Sequence, residues 1–95
     1  MTPEGKVKEK IKRLLKHHGA WYYMPVGGAY NVSGIPDFVC CYKGKMFGIE
    51  AKAEGKKPTA LQMKQKSLIE AAGGKWFLVD DDDSLMEVER WIKTV

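Results

Sequence analysis

Three charged residues carry the chemistry open to this chain. Asp37 lies thirteen residues before Glu50, and Lys52 follows Glu50 after a single alanine. Lys43-Gly44, midway between them, has the character of a two-residue hairpin loop. With that loop, Tyr42 pairs with Lys45, Cys41 with Met46, and the ladder runs back until Asp37 stands opposite Glu50. Side chains alternate faces along a strand, so Glu50 and Lys52 project to the same side. Like charges directly opposite one another destabilise a sheet. A divalent cation between the carboxylates removes that penalty, and hard oxygen ligands suit magnesium or manganese. The expectation is a two-carboxylate metal site with an ammonium one step away.

The rest of the hairpin must hold these groups in place. On the face away from the site, Phe38 and Cys40 meet Ile49 and Phe47, an apolar set fit for a core. On the site face Val39 and Gly48 lie between the charged pair and the turn. Gly48 is expected to leave room there for a ligand to approach. The register depends on the turn, because a slip of one residue exchanges the faces. Plainer readings exist for each residue taken alone. Asp37 could cap a turn after proline, and Glu50 and Lys52 could be a surface ion pair worth ~0–1 kcal/mol.

The hairpin sits in a chain of 95 residues, the size of one small domain spanning residues 1–95. Hydrophobic residues make up 44% and charged residues 29%, proportions that exclude a disordered chain. The net charge of +4 mildly favours a polyanionic partner. Cys40 and Cys41 are adjacent on a strand, so their thiols point apart and a disulfide between them is not expected. With no other cysteine and with His17-His18 distant, they make no zinc site. The chain reads as a reduced, intracellular protein with no membrane span or signal peptide.

Helices and strands follow from capping and periodicity. Thr2 and Pro3 open a first helix that carries Val7, Ile11, Leu14 and Leu15 at helical spacing, and Gly19 closes it. Its lysines read as a solvated face, and His17-His18 as cover for its end. Residues 20–26 form an aromatic strand, and Gly27 to Gly34 reads as a flexible loop. After the hairpin and a loop over 54–58, Thr59 and Gln62 have capping-box spacing for a second helix. Its expected inner stripe is Leu61, Gln65, Leu68, Ile69 and Ala72. Gly73-Gly74 stops it before a buried strand, Lys75 to Val79. Asp80 to Asp83 is a turn, and Ser84 with Glu87 suggests a capping box for a last helix bearing Leu85, Val88, Trp91 and Ile92. Trp21, Trp76 and Trp91 read as core or dimer contacts. The order α-β-β-β-α-β-α, with a right-handed parallel crossover after Glu50, gives an α/β fold with a four-stranded mixed sheet flanked by helices.

Pro36-Asp37 followed by Glu50-Ala51-Lys52, on a hairpin within this element order, resembles the PD-(D/E)XK nuclease superfamily. The chain is most similar to its virus-type replication-repair nuclease (VRR-NUC) branch, in the compact stand-alone form found in phages. The likeness covers nearly the whole chain. It includes Thr2-Pro3-Glu4-Gly5-Lys6-Val7, Met24-Pro25-Val26-Gly27-Gly28, Ser33-Gly34-Ile35-Pro36-Asp37-Phe38, Ile49-Glu50-Ala51-Lys52 and Lys57-Pro58-Thr59-Ala60-Leu61-Gln62.

The resemblance implies a PD-(D/E)XK core of αβββαβ(α) form and a role for each matching residue. Asp37, Glu50 and the backbone carbonyl of Ala51 would hold Mg2+ or Mn2+, with Glu4 joining through water. Lys52 would sit beside the attacking water and the scissile phosphate. Gln62 would lie near the site, although it also serves as the third residue of a capping box. Glu4 is equally an acidic residue suited to a first helical turn. Lys56, Lys57, Lys43 and Lys45 are candidate phosphate contacts, as are the lysines of the first helix. The implied activity is a structure-selective DNA endonuclease cutting branched DNA such as four-way (Holliday) junctions, as a homodimer, in a bacterial cytoplasm if phage-encoded. The alternative is a module of the same fold that grips branched DNA without cutting it. A third reading is a protein-interaction subunit whose basic surface is incidental.

Overall fold

The computed structural model describes residues 1–27 and 32–95. Half of the expected loop from Gly27 to Gly34, residues 28–31, lies outside the described residues. The elements run α1 (Pro3–His18), β1 (Trp21–Tyr23), β2 (Phe38–Tyr42), β3 (Lys45–Ala51), α2 (Ala60–Ala71), β4 (Lys75–Val79) and α3 (Asp82–Thr94). The strands form one sheet in the order β1-β2-β3-β4. The first two pairings are antiparallel, and β3 pairs with β4 in parallel across α2.

The hairpin has the register read from the sequence: Tyr42↔Lys45, Cys41↔Met46, Cys40↔Phe47, Val39↔Gly48 and Phe38↔Ile49. Lys43 and Gly44 both take positive φ, 47° and 81°, which suits a loop twisted to match its strands. The ladder ends at Phe38↔Ile49, so Asp37 stands one residue outside it. Instead of pairing through the backbone, Asp37 uses its side chain.

One face of the sheet carries the main core. Phe38, Cys40, Phe47, Ile49, Ala51, Phe77 and Val79 pack against Ile11 and Leu15 of α1 and Val88 and Ile92 of α3. Phe47 makes edge contacts with both Phe77 and Trp91. Thr2 Oγ1 accepts from the Gly5 amide at the start of α1, and Gly19, at φ 70°, closes it. His18 Nε2 lies 2.9 Å from Glu89 Oε2, which ties the end of α1 to α3 and holds the Glu89 carboxyl below its usual range. Both cysteines are free thiols, one buried and one exposed. Burial pushes the Cys40 thiol up to about 12, so it is an inert core group.

Several expectations fail in instructive ways. The first strand is only three residues long. Asp81, not Ser84, caps α3: Ser84 is the third residue of that helix and completes a capping box with Asp81. Of the tryptophans read as core or dimer contacts, Trp76 is buried and Trp21, at 62% exposed, lies outside the core. On α2 the stripe expected to face inward is largely open, with Leu61 and Leu68 both exposed, while Ile69 packs close to Gly48 and Gly74. Among the described residues, no helix is long and apolar enough to cross a membrane.

Candidate active site

The second face of the sheet, under α2, carries the charged cluster. Glu50, at the end of β3, is only 2% exposed and is the one charged side chain buried among the described residues. Gln62 reaches down from the first turn of α2, and its Nε2 donates to Glu50 Oε1 at 3.1 Å. The same Gln62 closes the capping box of α2, accepting from the Thr59 amide through Oε1 at 2.8 Å while its own amide donates to Thr59 Oγ1. Gln62 is therefore both the third residue of the cap and a partner of Glu50: the cap fixes the side chain, and the fixed amide group faces the buried carboxylate.

Glu50 Oε2 is buried with no hydrogen-bond donor among the described residues. A buried carboxylate oxygen without a partner is costly. Burial first, then a shared proton and charge repulsion from Asp37, push the Glu50 carboxyl up to about 9, against the opposing pull of Lys52. The Glu4 carboxylate adds a smaller push in the same direction.

Asp37 is fixed from the other strand. Its Oδ2 accepts from the Ala51 amide at 2.9 Å, bonding the residue after the buried glutamate. Its Oδ1 lies 3.9 Å from Lys8 Nζ, and Lys8 is in turn 3.5 Å from Glu4 Oε2, one turn earlier on α1. The sequence reading singled out Glu4 but not Lys8. Its signal was the four-residue spacing from Glu4, which puts both on one helix face. The Lys52 amide donates to Val79 O at 3.0 Å, extending the parallel pairing one residue past β3, and its side chain is half-buried. Among the described residues its ammonium makes no ion pair within 4.0 Å.

Thus Asp37, Glu50, Lys52, Gln62 and Glu4 come together at one end of the hairpin. The phosphate-contact lysines divide. Lys56 and Lys57 lie on the exposed loop just beyond Lys52. Lys43 and Lys45 sit at the opposite end of the hairpin, five residue steps or ~17 Å from the Asp37 level at ordinary strand rise, too far to touch a phosphate held between the carboxylates. The room expected at Gly48 is also filled. A Cβ there would come 2.8 Å from Pro36 Cγ and 3.6 Å from Ile69 Cδ1, so Pro36 and α2 occupy the space left for a ligand. Approach is open instead on the Asp37 side.

The donor set fits a hard divalent cation: an orphaned carboxylate oxygen, a second carboxylate fixed beside it, and a strand-end carbonyl at Ala51. Among the described residues no three His, Cys, Asp or Glu side chains gather at metal-holding spacing. Glu4 therefore does not complete a three-carboxylate cage with Asp37 and Glu50.

No protein-family model matches the chain, and no curated protein matches it. Among solved structures, one described as a VRR_NUC domain superposes with a TM-score of 0.79 at 23% identity, covering 94% of this chain and 97% of that one. The chain has the fold of a VRR_NUC domain. The element order and mixed sheet expected from the nuclease resemblance are those of this fold.

Proposed function

We propose that this protein is a divalent-metal-dependent DNA endonuclease of the PD-(D/E)XK type, acting on branched DNA such as four-way junctions. The observation that carries the reading is Glu50: a buried carboxyl, one oxygen of which has no hydrogen-bond donor among the described residues, set beside the fixed Asp37 carboxyl with which it can share a proton. Two carboxyls held this close keep a proton between them unless a cation takes its place. Asp37, Glu50 and the Ala51 carbonyl would hold Mg2+ or Mn2+. The bound ion would supply an activated water and a polarised phosphoryl oxygen.

The remaining chemistry falls to this chain's own groups. Lys52, a half-buried ammonium, neutralises charge that builds on the phosphate oxygens and orients the attacking water. Gln62 holds the Glu50 carboxylate in one rotamer through its amide. The Ala51 amide does the same for Asp37, so neither carboxylate must reorganise as charge develops. Lys56 and Lys57 lie where a backbone leaving the site would pass. As a two-fold homodimer, the protein would present two such sites to two symmetric strands.

The test is cleavage of labelled four-way junction, linear duplex and single strand in magnesium, manganese or chelator, comparing wild type with Lys52→Ala. Metal-dependent cutting of the junction by wild type alone supports the proposal. Cutting of every substrate keeps the nuclease and removes the branched preference. Tight junction binding in chelator with no cutting in manganese replaces it with a non-cleaving binding module.

A further inference from the structure

A cleft of about 660 Å³ opens beside the carboxylates, with Asp37 in its lining. Its other walls include Tyr23, Pro25, Val26, Val32 and Val39. Among the described residues no lysine or arginine lines it. A groove that follows a phosphate backbone is built with cations, so this cleft suits an uncharged group. The strand register puts Tyr23 beside Val39 and Trp21 beside Cys41. Both rings therefore rise from the face that carries Glu50. They are 54% and 62% exposed. Tyr23 stands two residue steps from the Asp37 level, ~7 Å at ordinary strand rise, about one nucleotide along a strand. Trp21 lies the same interval further out.

We propose that this cleft is a nucleobase slot. An unstacked base next to the cleaved phosphate enters it and stacks on Tyr23, and Trp21 receives the next unpaired base outward. The proposal rests on the nuclease reading and gives it a physical source of structure selection. A base inside an intact duplex must be unstacked to enter, whereas a base at a branch or bulge already is. Aromatic rings on a sheet face accept any base, because every base has a π-face. The slot therefore selects structure and not sequence.

The experiment uses two duplexes of one sequence, fully paired or with a single unpaired nucleotide, and 2-aminopurine at that position. Binding is read in chelator by 2-aminopurine quenching, and cutting is read in manganese. Wild type should quench the unpaired probe and cut the bulged duplex at least tenfold faster than the paired one. Tyr23→Ala should lose the quench and that preference, and Tyr23→Phe should keep both. Trp21→Ala should keep the quench at this position and weaken binding of a longer unpaired segment. Unchanged quench and preference in Tyr23→Ala overturns the proposal. So does a Tyr23→Ala that converts a dimer to a monomer by light scattering while the quench persists, since the face would then be a self-association surface. If wild type cuts nothing but quenches through Tyr23, the nuclease reading falls and the slot stands.

Discussion

Replacing Glu50 by Gln tests the physics of the site without the reaction. In the metal-free protein the Glu50 carboxyl titrates near 9, against 4.5 for an ordinary glutamate. Between those values the folded chain keeps a proton that the unfolded chain releases. Stability must then fall as pH rises across that window, because the unfolded state binds fewer protons. The stabilisation linked to this proton is complete below pH ~4.5, the ordinary glutamate value, and is lost through pH ~9. Each pH unit is worth about 1.4 kcal/mol, so at pH 7 the penalty is about 3 kcal/mol. Gln has the same shape, can accept the Gln62 bond and does not titrate. Urea unfolding in chelator at pH 5, 6, 7 and 8 should show wild type losing stability toward high pH while Glu50→Gln stays nearly flat. The two should coincide near pH 5 and differ by about 3 kcal/mol at pH 7. Manganese at a hundred times its Kd should raise wild-type stability by about 2.7 kcal/mol and leave Glu50→Gln unmoved. It should bind more tightly at pH 8 than at pH 6, since binding must displace the proton. Parallel pH profiles for the two proteins would refute the account of Glu50 as a buried, donor-poor carboxyl.

Other outcomes follow from the same geometry. Lys52→Ala should lower cleavage at least a hundredfold and leave the urea midpoint within error, since among the described residues its ammonium makes no ion pair within 4.0 Å. Asp37→Ala should abolish cleavage and also cost about 1–2 kcal/mol, because the Ala51 amide loses its acceptor; unchanged stability would mean water replaces it. Gln62→Glu keeps an acceptor for the Thr59 amide but sets a carboxylate against Glu50, so circular dichroism should show α2 intact while cleavage falls. Gly34→Ala should destabilise by more than the ~1–2 kcal/mol of a left-handed residue. Gly34 has φ 84°, and a Cβ there would collide with the Leu61 carbonyl. A denaturation curve matching wild type would show that the turn can relax.

The parts legible in the sequence are those set by neighbours in the chain. Lys43-Gly44 fixes a loop whose register places five pairs of residues, and with them the carboxylates. Thr2 and Gly19 bracket α1, and Thr59 with Gln62 starts α2. Where several residues compete for one local job, the reading fails. Ser84 with Glu87 had the spacing of a cap for α3, but Asp81, inside the expected turn, takes that place because its carboxylate accepts from the Ser84 amide at 2.8 Å. Failures also come where distant parts meet. Periodicity shows that Leu61 and Leu68 share a helix face, but not that α2 meets the sheet through Gln62, Lys66 and Ile69 instead. Strand alternation puts Gly48 beside the carboxylates, but only the folded chain brings Pro36 over it. The charge on Lys8 was visible, while its approach to Asp37 depends on the crossing of α1 over the hairpin. The three residues that carry the proposed chemistry were legible because one hairpin holds them all.

The contact between Pro36 and Gly48 binds two positions twelve residues apart into one unit of inheritance. A methyl group added at 48 has no place unless the ring at 36 shrinks, and a smaller residue at 36 leaves a void that a side chain at 48 could fill. Either single change shifts a strand that bears a carboxylate. The pair made together need not, so the two positions should tolerate substitution jointly more readily than singly. A library varied at both sites should return its survivors along that diagonal: small beside large, seldom large beside large. The proline that precedes the first carboxylate would then be retained for the volume it fills and not for any chemistry of its own.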